Sequence, residues 1–260
     1  MHKNSFHYLY GPVYSWRLGM SLGVDPISQS EKVCNFNCIY CQLGVACAAQ
    51  LKRKEFVSTH AIIDEINKVS APNIDYITFS GKGEPTLAKN LGEMIKAVKA
   101  VRPEKIAVIT NSSLLGCADV RTDLMPADFV LAKLDACCAK GFEKINQGGK
   151  EISFEGIVQG LCAFRKAFKG KFALQIMFVE QNKGDAKGMA ELVKKINPDE
   201  IQLNTPLRLC AVKPLTEQQM KDIKKEFVHF KTISVYEIPK KSYRPFDDEK
   251  TASRHGKLKK

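Results

Sequence analysis

The 260-residue sequence predicts an α/β fold, a partial (β/α)6 TIM-like barrel of parallel strands. Three observations predict it. β-rich runs alternate with amphipathic helices along most of the chain. The strands read as nearly continuous apolar runs, as in Phe172–Val179, whereas Ile157, Leu161, Phe164 and Phe168 keep helical spacing. Polar strings, several bearing glycine or asparagine, follow the strands directly, where functional loops of parallel sheets gather.

In chain order, the pattern predicts a strand just before Cys34, a helix over Ser58–Val69 and a strand over Asp75–Phe79. Helix Asn90–Val101 and strand Lys105–Ile109 follow, and a short helical stretch leads to strand Phe129–Leu134. Helix Ser153–Phe168, strand Phe172–Phe178, helix Ala186–Ile196 and strand Glu200–Leu203 complete six β/α units. Right-handed crossovers then bring the polar strings to one mouth. The aromatic, glycine-rich segment from Tyr8 to Asp25, with Trp16 beside Arg17, reads either as a cap that meets substrate or as an apolar plug on the barrel floor. We expect one domain over residues 1–239, this cap segment included, and a basic, mobile tail over 240–260 that has almost no large apolar side chain. The tail reads as a solubilising segment or a nucleic-acid contact.

Composition narrows the class. A hydrophobic fraction of 44% and a charged fraction of 26% are those of a globular protein, and no apolar run has the length of a membrane span. The first residues lack a signal-peptide core, and nine cysteines, an odd number, argue for metal or redox chemistry over a disulfide framework. The reading is a cytoplasmic, reduced protein with no membrane partner. A formal net charge of +12 favours acidic partners such as RNA, nucleotides or an acidic protein.

The motifs carry the chemistry. Cys34, Cys38 and Cys41 stand as C-x3-C-x2-C, three thiolates from one short loop. Thiolates are the usual ligands of a [4Fe–4S] cube, and three of them leave one iron open, the mark of a catalytic site. The spacing arises by chance in roughly one such chain per hundred, so context must confirm it. The context is Ser80-Gly81-Lys82-Gly83-Glu84-Pro85, after the next strand: the glycines permit close backbone approach, Pro85 stiffens the exit, and Glu84 is an anionic acceptor. Read alone, the string is equally a simple β-turn.

Together, the cysteine loop with Tyr40 before its last Cys and the Gly-Lys-Gly-Glu-Pro string resemble the radical S-adenosylmethionine (radical SAM) superfamily. Tyr10 to Asp25 plus the cysteine loop are similar to its small Fe–S oxidoreductases, usually grouped with wyosine-type tRNA-modification enzymes and molybdenum-cofactor synthase relatives. The resemblance implies that Cys34, Cys38 and Cys41 ligate three irons while the amino and carboxylate groups of SAM chelate the fourth. It also implies that Glu84, with backbone around Gly81 and Gly83, receives the methionyl ammonium and that Tyr40 meets adenine through its main chain. Asn111, Ser112, Lys133 and Asp135 are candidates for ribose or carboxylate contacts, with Gln175, Asn182 and Asn204 behind them. Lys82 stands where the family motif commonly has glycine.

The implied reaction is reductive cleavage of SAM to a 5′-deoxyadenosyl radical that abstracts hydrogen from substrate, driven by an external flavodoxin- or ferredoxin-type donor. The substrate reads as a tRNA base or nucleotide-like molecule, or alternatively as a partner protein that receives a radical. A non-catalytic zinc or cluster module is the reading outside enzymes, though the five histidines form no ligand pair. Cys137 and Cys138 are candidates for a resolving thiol or second cluster, Cys162 for core packing, and Cys47 for packing or for shielding the cluster.

Overall fold

The computed structural model describes residues 6–46, 52–70, 73–239, 241 and 243–256; Cys47 lies outside them. One sheet of eight strands runs in sequence order: β1 (Leu9–Ser15), β2 (Gly19–Val24), β3 (Tyr76–Phe79), β4 (Lys105–Thr110), β5 (Phe129–Lys133), β6 (Lys171–Met177), β7 (Glu200–Asn204) and β8 (Thr232–Ser234). β1 and β2 form an antiparallel hairpin, and every later neighbour pairs in parallel. β1 does not pair with β8, so the barrel is partial, as the sequence predicts.

Helices α1 (Thr59–Ile66), α2 (Leu91–Val101), α3 (Ala118–Leu124), α4 (Ala139–Ile145), α5 (Phe154–Ala167), α6 (Ala186–Ile196), α7 (Glu217–Lys224) and α8 (Asp248–His255) complete the chain. Their starts follow local chemistry. Ser58 and Ser153 accept hydrogen bonds from the Ala61 and Gly156 amides, and Thr216 with Gln219 closes a capping box. α6 ends where Asn197 turns left-handed at φ 56°. None of the described helices is long and apolar enough to cross a membrane.

β6 shows how the layers form. Phe172, Leu174 and Ile176 belong to the main core between sheet and helices, whereas Ala173, Gln175 and Met177 alternate onto the barrel interior. Phe164 of α5 meets Phe172 edge-on at 5.4 Å and stacks on Phe168 at 4.7 Å, so the helical stripe docks on the strand. Each such buried side chain contributes about 1.5–3 kcal/mol. The barrel floor is apolar: Leu18, in the hairpin turn, packs with Ala107, Phe129, Leu131 and Ala173.

The strand count differs from the expected six units, because seven strands run parallel and one precedes them antiparallel. β8 has only three residues, too few to show a period. Gly23 is required in the first hairpin, since a Cβ would lie 2.1 Å from the Tyr10 ring. In the segment read as cap or plug, Leu18 packs into the floor while Tyr10, Trp16 and Arg17 line the interior cavity.

The expectation of a mobile tail over 240–260 is corrected for residues 243–256. Phe246 N–H donates to Gly11 O at 2.6 Å, Gly11 N–H donates to Thr251 Oγ1 at 3.0 Å, and α8 lies against β1. Arg254, 8% exposed, donates to Asp25 at 2.8 Å and to His7 O at 2.7 Å. Hydrogen bonds and one buried ion pair dock this segment, so an apolar-pattern reading passes over it. Replacing one partner of a buried pair leaves the other charge uncompensated, at a cost of about 3–5 kcal/mol. Arg254→Ala should therefore lower unfolding stability by about that amount in a urea titration; a change below about 1 kcal/mol would show that the pair does not hold the tail.

Candidate active site

The site is assembled where the loop after β2 meets the loop after β3. Val33 and Gly83 form a parallel bridge: Val33 N–H donates to Lys82 O at 2.9 Å and Glu84 N–H to Val33 O at 3.0 Å. A Cβ on Gly83 would stand 1.8 Å from Val33 O, so only glycine permits the approach. The other flank of the cysteine loop is tied to the end of α4, through Asn37 N–H to Asn146 O and Ile39 N–H to Ile145 O.

Within that frame, Cys41 N–H closes a turn onto Cys38 O at 2.9 Å. Cys34 Sγ faces the Phe36 N–H at 3.4 Å and Asn111 Nδ2 at 3.6 Å, and Cys38 Sγ faces Asn146 Nδ2 at 3.4 Å. Burial, then the nearby Glu84 carboxylate, pushes the Cys34 thiol up to about 12, and burial also raises Cys38 against the pull of Lys133. Among the described residues, no three Cys, His, Asp or Glu side chains stand together in metal-ligating geometry, the loop cysteines included. Cys137 and Cys138, considered for a second cluster, likewise form no such group there, and Cys162 is half-buried against the main core.

Glu84 is 2% exposed and engaged on both oxygens. Thr86 N–H and Oγ1 donate to Oε1 at 3.1 and 2.7 Å, Thr110 Oγ1 donates to Oε1 at 2.6 Å, and Asn111 N–H donates to Oε2 at 2.6 Å. The carboxylate thus staples the end of β3 to the end of β4, and burial raises its proton affinity despite four donors. All four of these contacts are made within the protein. The backbone of Gly81 and Gly83 is what faces the cavity.

Tyr40 is anchored through its side chain. Its hydroxyl donates to Asp135, which also accepts Met177 N–H at 2.8 Å and Asn146 Nδ2 at 2.9 Å. Burial and the Asp135 charge hold the phenol well above its usual range. Lys133 Nζ lies 3.8 Å from Asp135 and 4.4 Å from the Tyr40 ring centre. Ser112 is wholly buried, with Oγ donating to Lys133 O at 2.7 Å, and Asn111 Nδ2 turns to Asn35 at 2.8 Å. Of the residues named from sequence, Tyr40, Cys41, Gly81, Gly83, Lys133, Gln175 and Asn204 line the cavity, whereas Glu84, Asn111, Ser112, Asp135 and Asn182 lie behind its wall.

The cavity has a volume of about 390 Å³, within the range of cofactor sites. It runs from Tyr40 to Leu43 of the cysteine loop, past Ser80 to Gly83, to the first hairpin and the C-terminal segment. Five cationic side chains line it, those of Arg17, Lys133, Arg208, Lys241 and Arg254, and no Asp or Glu does. Sequence analysis assigns no role to Arg208, in the loop after β7, or to His255, in the segment expected to be a tail.

A family model described as the radical SAM superfamily matches residues 32–193, which hold the cysteine loop and the glycine string. The chain belongs to the radical SAM superfamily. It is also 39% identical over 207 residues to a UPF0026 protein of Synechocystis sp., covering 79% of this chain and 78% of that protein. A UPF0026 protein of Methanocaldococcus jannaschii is 36% identical over 231 residues, covering 86% of this chain and 71% of that protein. A Brachyspira hyodysenteriae protein named GTPase Obg is 40% identical over 227 residues, covering 84% of this chain, but this radical SAM chain spans only 33% of its length. No G-x-x-x-x-G-K-[ST] phosphate loop occurs here. Among solved structures, anSMEcpe with bound AdoMet matches with a TM-score of 0.60 at 16% identity, over 83% of this chain and 64% of that one. SuiB bound to S-adenosylmethionine gives 0.60 at 11% identity, over 78% of this chain and 48% of that one. These two likenesses show the fold.

The superfamily uses a [4Fe–4S] cluster and SAM. The residues of this radical SAM chain fit both: three cysteines in one loop, amide donors on two of their sulfurs, and a cavity that opens on that loop. Cys38→Ala should therefore abolish cluster assembly; a full iron complement after anaerobic reconstitution would refute the ligand assignment.

His255 yields a second expectation. Burial, then Arg208 and Arg17, lowers its pKa to about 3 from 6.5, so the unfolded chain takes up a proton that the folded chain refuses. Its contribution is complete above pH 6.5 and is lost as pH falls from there toward 3, at about 1.4 kcal/mol per unit. His255→Asn should flatten the acid limb of stability against pH; an unchanged slope would contradict the buried, neutral imidazole.

Proposed function

We propose that this radical SAM enzyme acts on a nucleotide-like substrate, with Cys34, Cys38 and Cys41 holding the cluster and the adjoining cavity holding SAM beside the substrate. One observation carries the reading: a single cavity joins the cysteine loop, the Gly81–Gly83 backbone and the strand ends, and its wall has cations without carboxylates. When bound, the cluster and SAM supply a reductive cleavage that produces a hydrogen-abstracting radical.

The chain's own residues bind, orient and enclose. The backbone of Gly81 and Gly83 offers close approach for the methionyl end, held in place by the Glu84 staple. Tyr40, fixed through Asp135, and Lys133 over its ring form the wall beside Cys41. The floor around Leu18 and the C-terminal segment keep water from the interior. Probable GTP 3′,8-cyclases are among the relatives, one from Metallosphaera sedula being 26% identical over 223 residues, and a nucleoside phosphate suits a cationic wall. A cytoplasmic setting with a flavodoxin- or ferredoxin-type electron donor fits this reading.

Anaerobic reconstitution tests it. We expect about four irons per chain, and 5′-deoxyadenosine with methionine on reduction in the presence of SAM. A colourless, zinc-loaded protein without 5′-deoxyadenosine would overturn the reading. If the nucleotide belongs to tRNA, RNA binding should weaken steeply with salt; turnover on a partner protein instead would redirect the assignment to radical installation.

A further inference from the structure

Six buried side-chain nitrogen or oxygen atoms lack a hydrogen-bond partner among the described residues. Three of them, Arg17 Nε, Gln175 Nε2 and His255 Nδ1, belong to residues that line the one cavity described above. All three are donors. Arg208 Nη2 lies 3.0 Å from His255 Nε2, and a guanidinium nitrogen can only donate, so Nε2 accepts and the ring proton sits on Nδ1. The imidazole is thereby fixed as a neutral donor, in keeping with its depressed proton affinity.

Two of the three cavity arginines, Arg17 and Arg208, have no counterion among the described residues. Arg254 pairs with Asp25 and Lys133 with Asp135, but neither Arg17 nor Arg208 makes an ion pair among the described residues. Arg17 stacks its guanidinium 4.6 Å over the Trp16 ring, and Arg208 donates to Gly256 O at 2.9 Å. The two repel: burial, then Arg208, lowers Arg17 to about 9. Buried charge without compensation is costly, and unpaired buried donors add to the cost, so a structure that keeps both presents a site for an acceptor-rich anion. SAM carries a sulfonium and an ammonium, which a cationic wall opposes, and its carboxylate is the group that the superfamily resemblance directs to the open iron, so the arginines suit the other occupant.

We propose that Arg17, Arg208 and His255 form a subsite for an anionic group of the substrate, a phosphate or a carboxylate, closed by the C-terminal helix α8 that carries His255. This deepens the reading of a nucleotide-like substrate and rests on it for the identity of the occupant, while anion binding itself needs no electron donor. The subsite joins three distant stretches of chain: the hairpin turn, the loop after β7 and the C-terminal helix.

The test uses the reconstituted protein and inorganic phosphate, pyrophosphate and citrate as probes, by calorimetry and thermal melting, with and without saturating SAM. We expect one anion per chain, a raised melting temperature on binding, and retention of the anion when SAM is present. Arg17→Met should weaken anion binding by about tenfold or more, yet melt no lower than the parent, because it removes an uncompensated charge and breaks no described side-chain hydrogen bond, while an apolar side chain still packs on Trp16. Arg208→Lys, which keeps the charge and loses the fork, should weaken it as well. Preference for phosphate over citrate, or the reverse, distinguishes the two sources of the anion.

Absence of saturable binding to any probe would overturn the proposal. So would displacement of the anion by SAM, which would assign the arginines to the SAM carboxylate, or unaltered binding in both variants. If Arg17→Met fails to fold, Arg208→Lys and the SAM competition on the parent protein decide the matter. SAM cleavage is measured separately on the parent, so failure of the radical reading and failure of the subsite give different results.

Discussion

The backbone contact between Val33 and Gly83 is the constraint on which the site depends. It joins the loop that carries the cysteines to the loop that carries the glycines, through two amide–carbonyl bonds and a carbon-free position on Gly83. Parallel strands alone would bring both loops to the same end of the barrel, several ångströms apart and free to move. The bridge turns proximity into register. It also sets Glu84, whose own amide donates into the bridge, so that its carboxylate reaches back to Thr110 and the Asn111 amide at the end of β4.

From that junction the order spreads outward through buried polar links. Asn111 connects the Glu84 staple to Asn35 and the Cys34 sulfur. Asn146 connects the Cys38 sulfur to Asp135, which holds Tyr40 and the Met177 amide. Two of the three loop cysteines, Cys34 and Cys38, are thus each flanked by an asparagine that spans two elements. Satisfied networks of this kind specify a single geometry, because an unmade bond in a buried setting costs about 1–3 kcal/mol. Several family candidates named from sequence serve here as the frame, and of those candidates Tyr40, Lys133, Gln175 and Asn204 are among the residues that line the cavity.

What was legible in the sequence follows the physics of each signal. The alternation of apolar strands and one-sided helices is periodic, so β3 to β7 and helices α1, α2, α5 and α6 are found within a few residues, whereas the seven-residue α4 is not anticipated. The cysteine loop and the glycine string are local, and their pairing is readable because one parallel strand separates them. β8 is too short for a period, and the β1–β2 hairpin carries glycines that serve packing and turn geometry at once. Ser112 looked like a ligand residue because it follows a strand end, but its position at φ 72° turns the hydroxyl inward to Lys133 O. Sequence places a residue at a strand end; backbone conformation decides which way it faces.

The C-terminal segment shows the same limit at longer range. Nothing local distinguishes a basic tail from a basic wall, since both lack apolar residues and both carry Lys and Arg. The difference lies in Asp25, wholly buried at the end of β2, which requires a cation that the neighbouring strands do not supply. Arg254 supplies it from 229 residues away, and in doing so seats α8 against β1, with Arg254 and His255 in the cavity wall. An open barrel needs such a cover if its interior is to exclude water. Here the cover is polar, so its docking depends on charge compensation, and the same helix brings His255 against Arg208 inside the cavity. Enclosure and recognition are therefore coupled through one helix: whatever loosens the Asp25–Arg254 pair also dismantles the donor set at the arginine end.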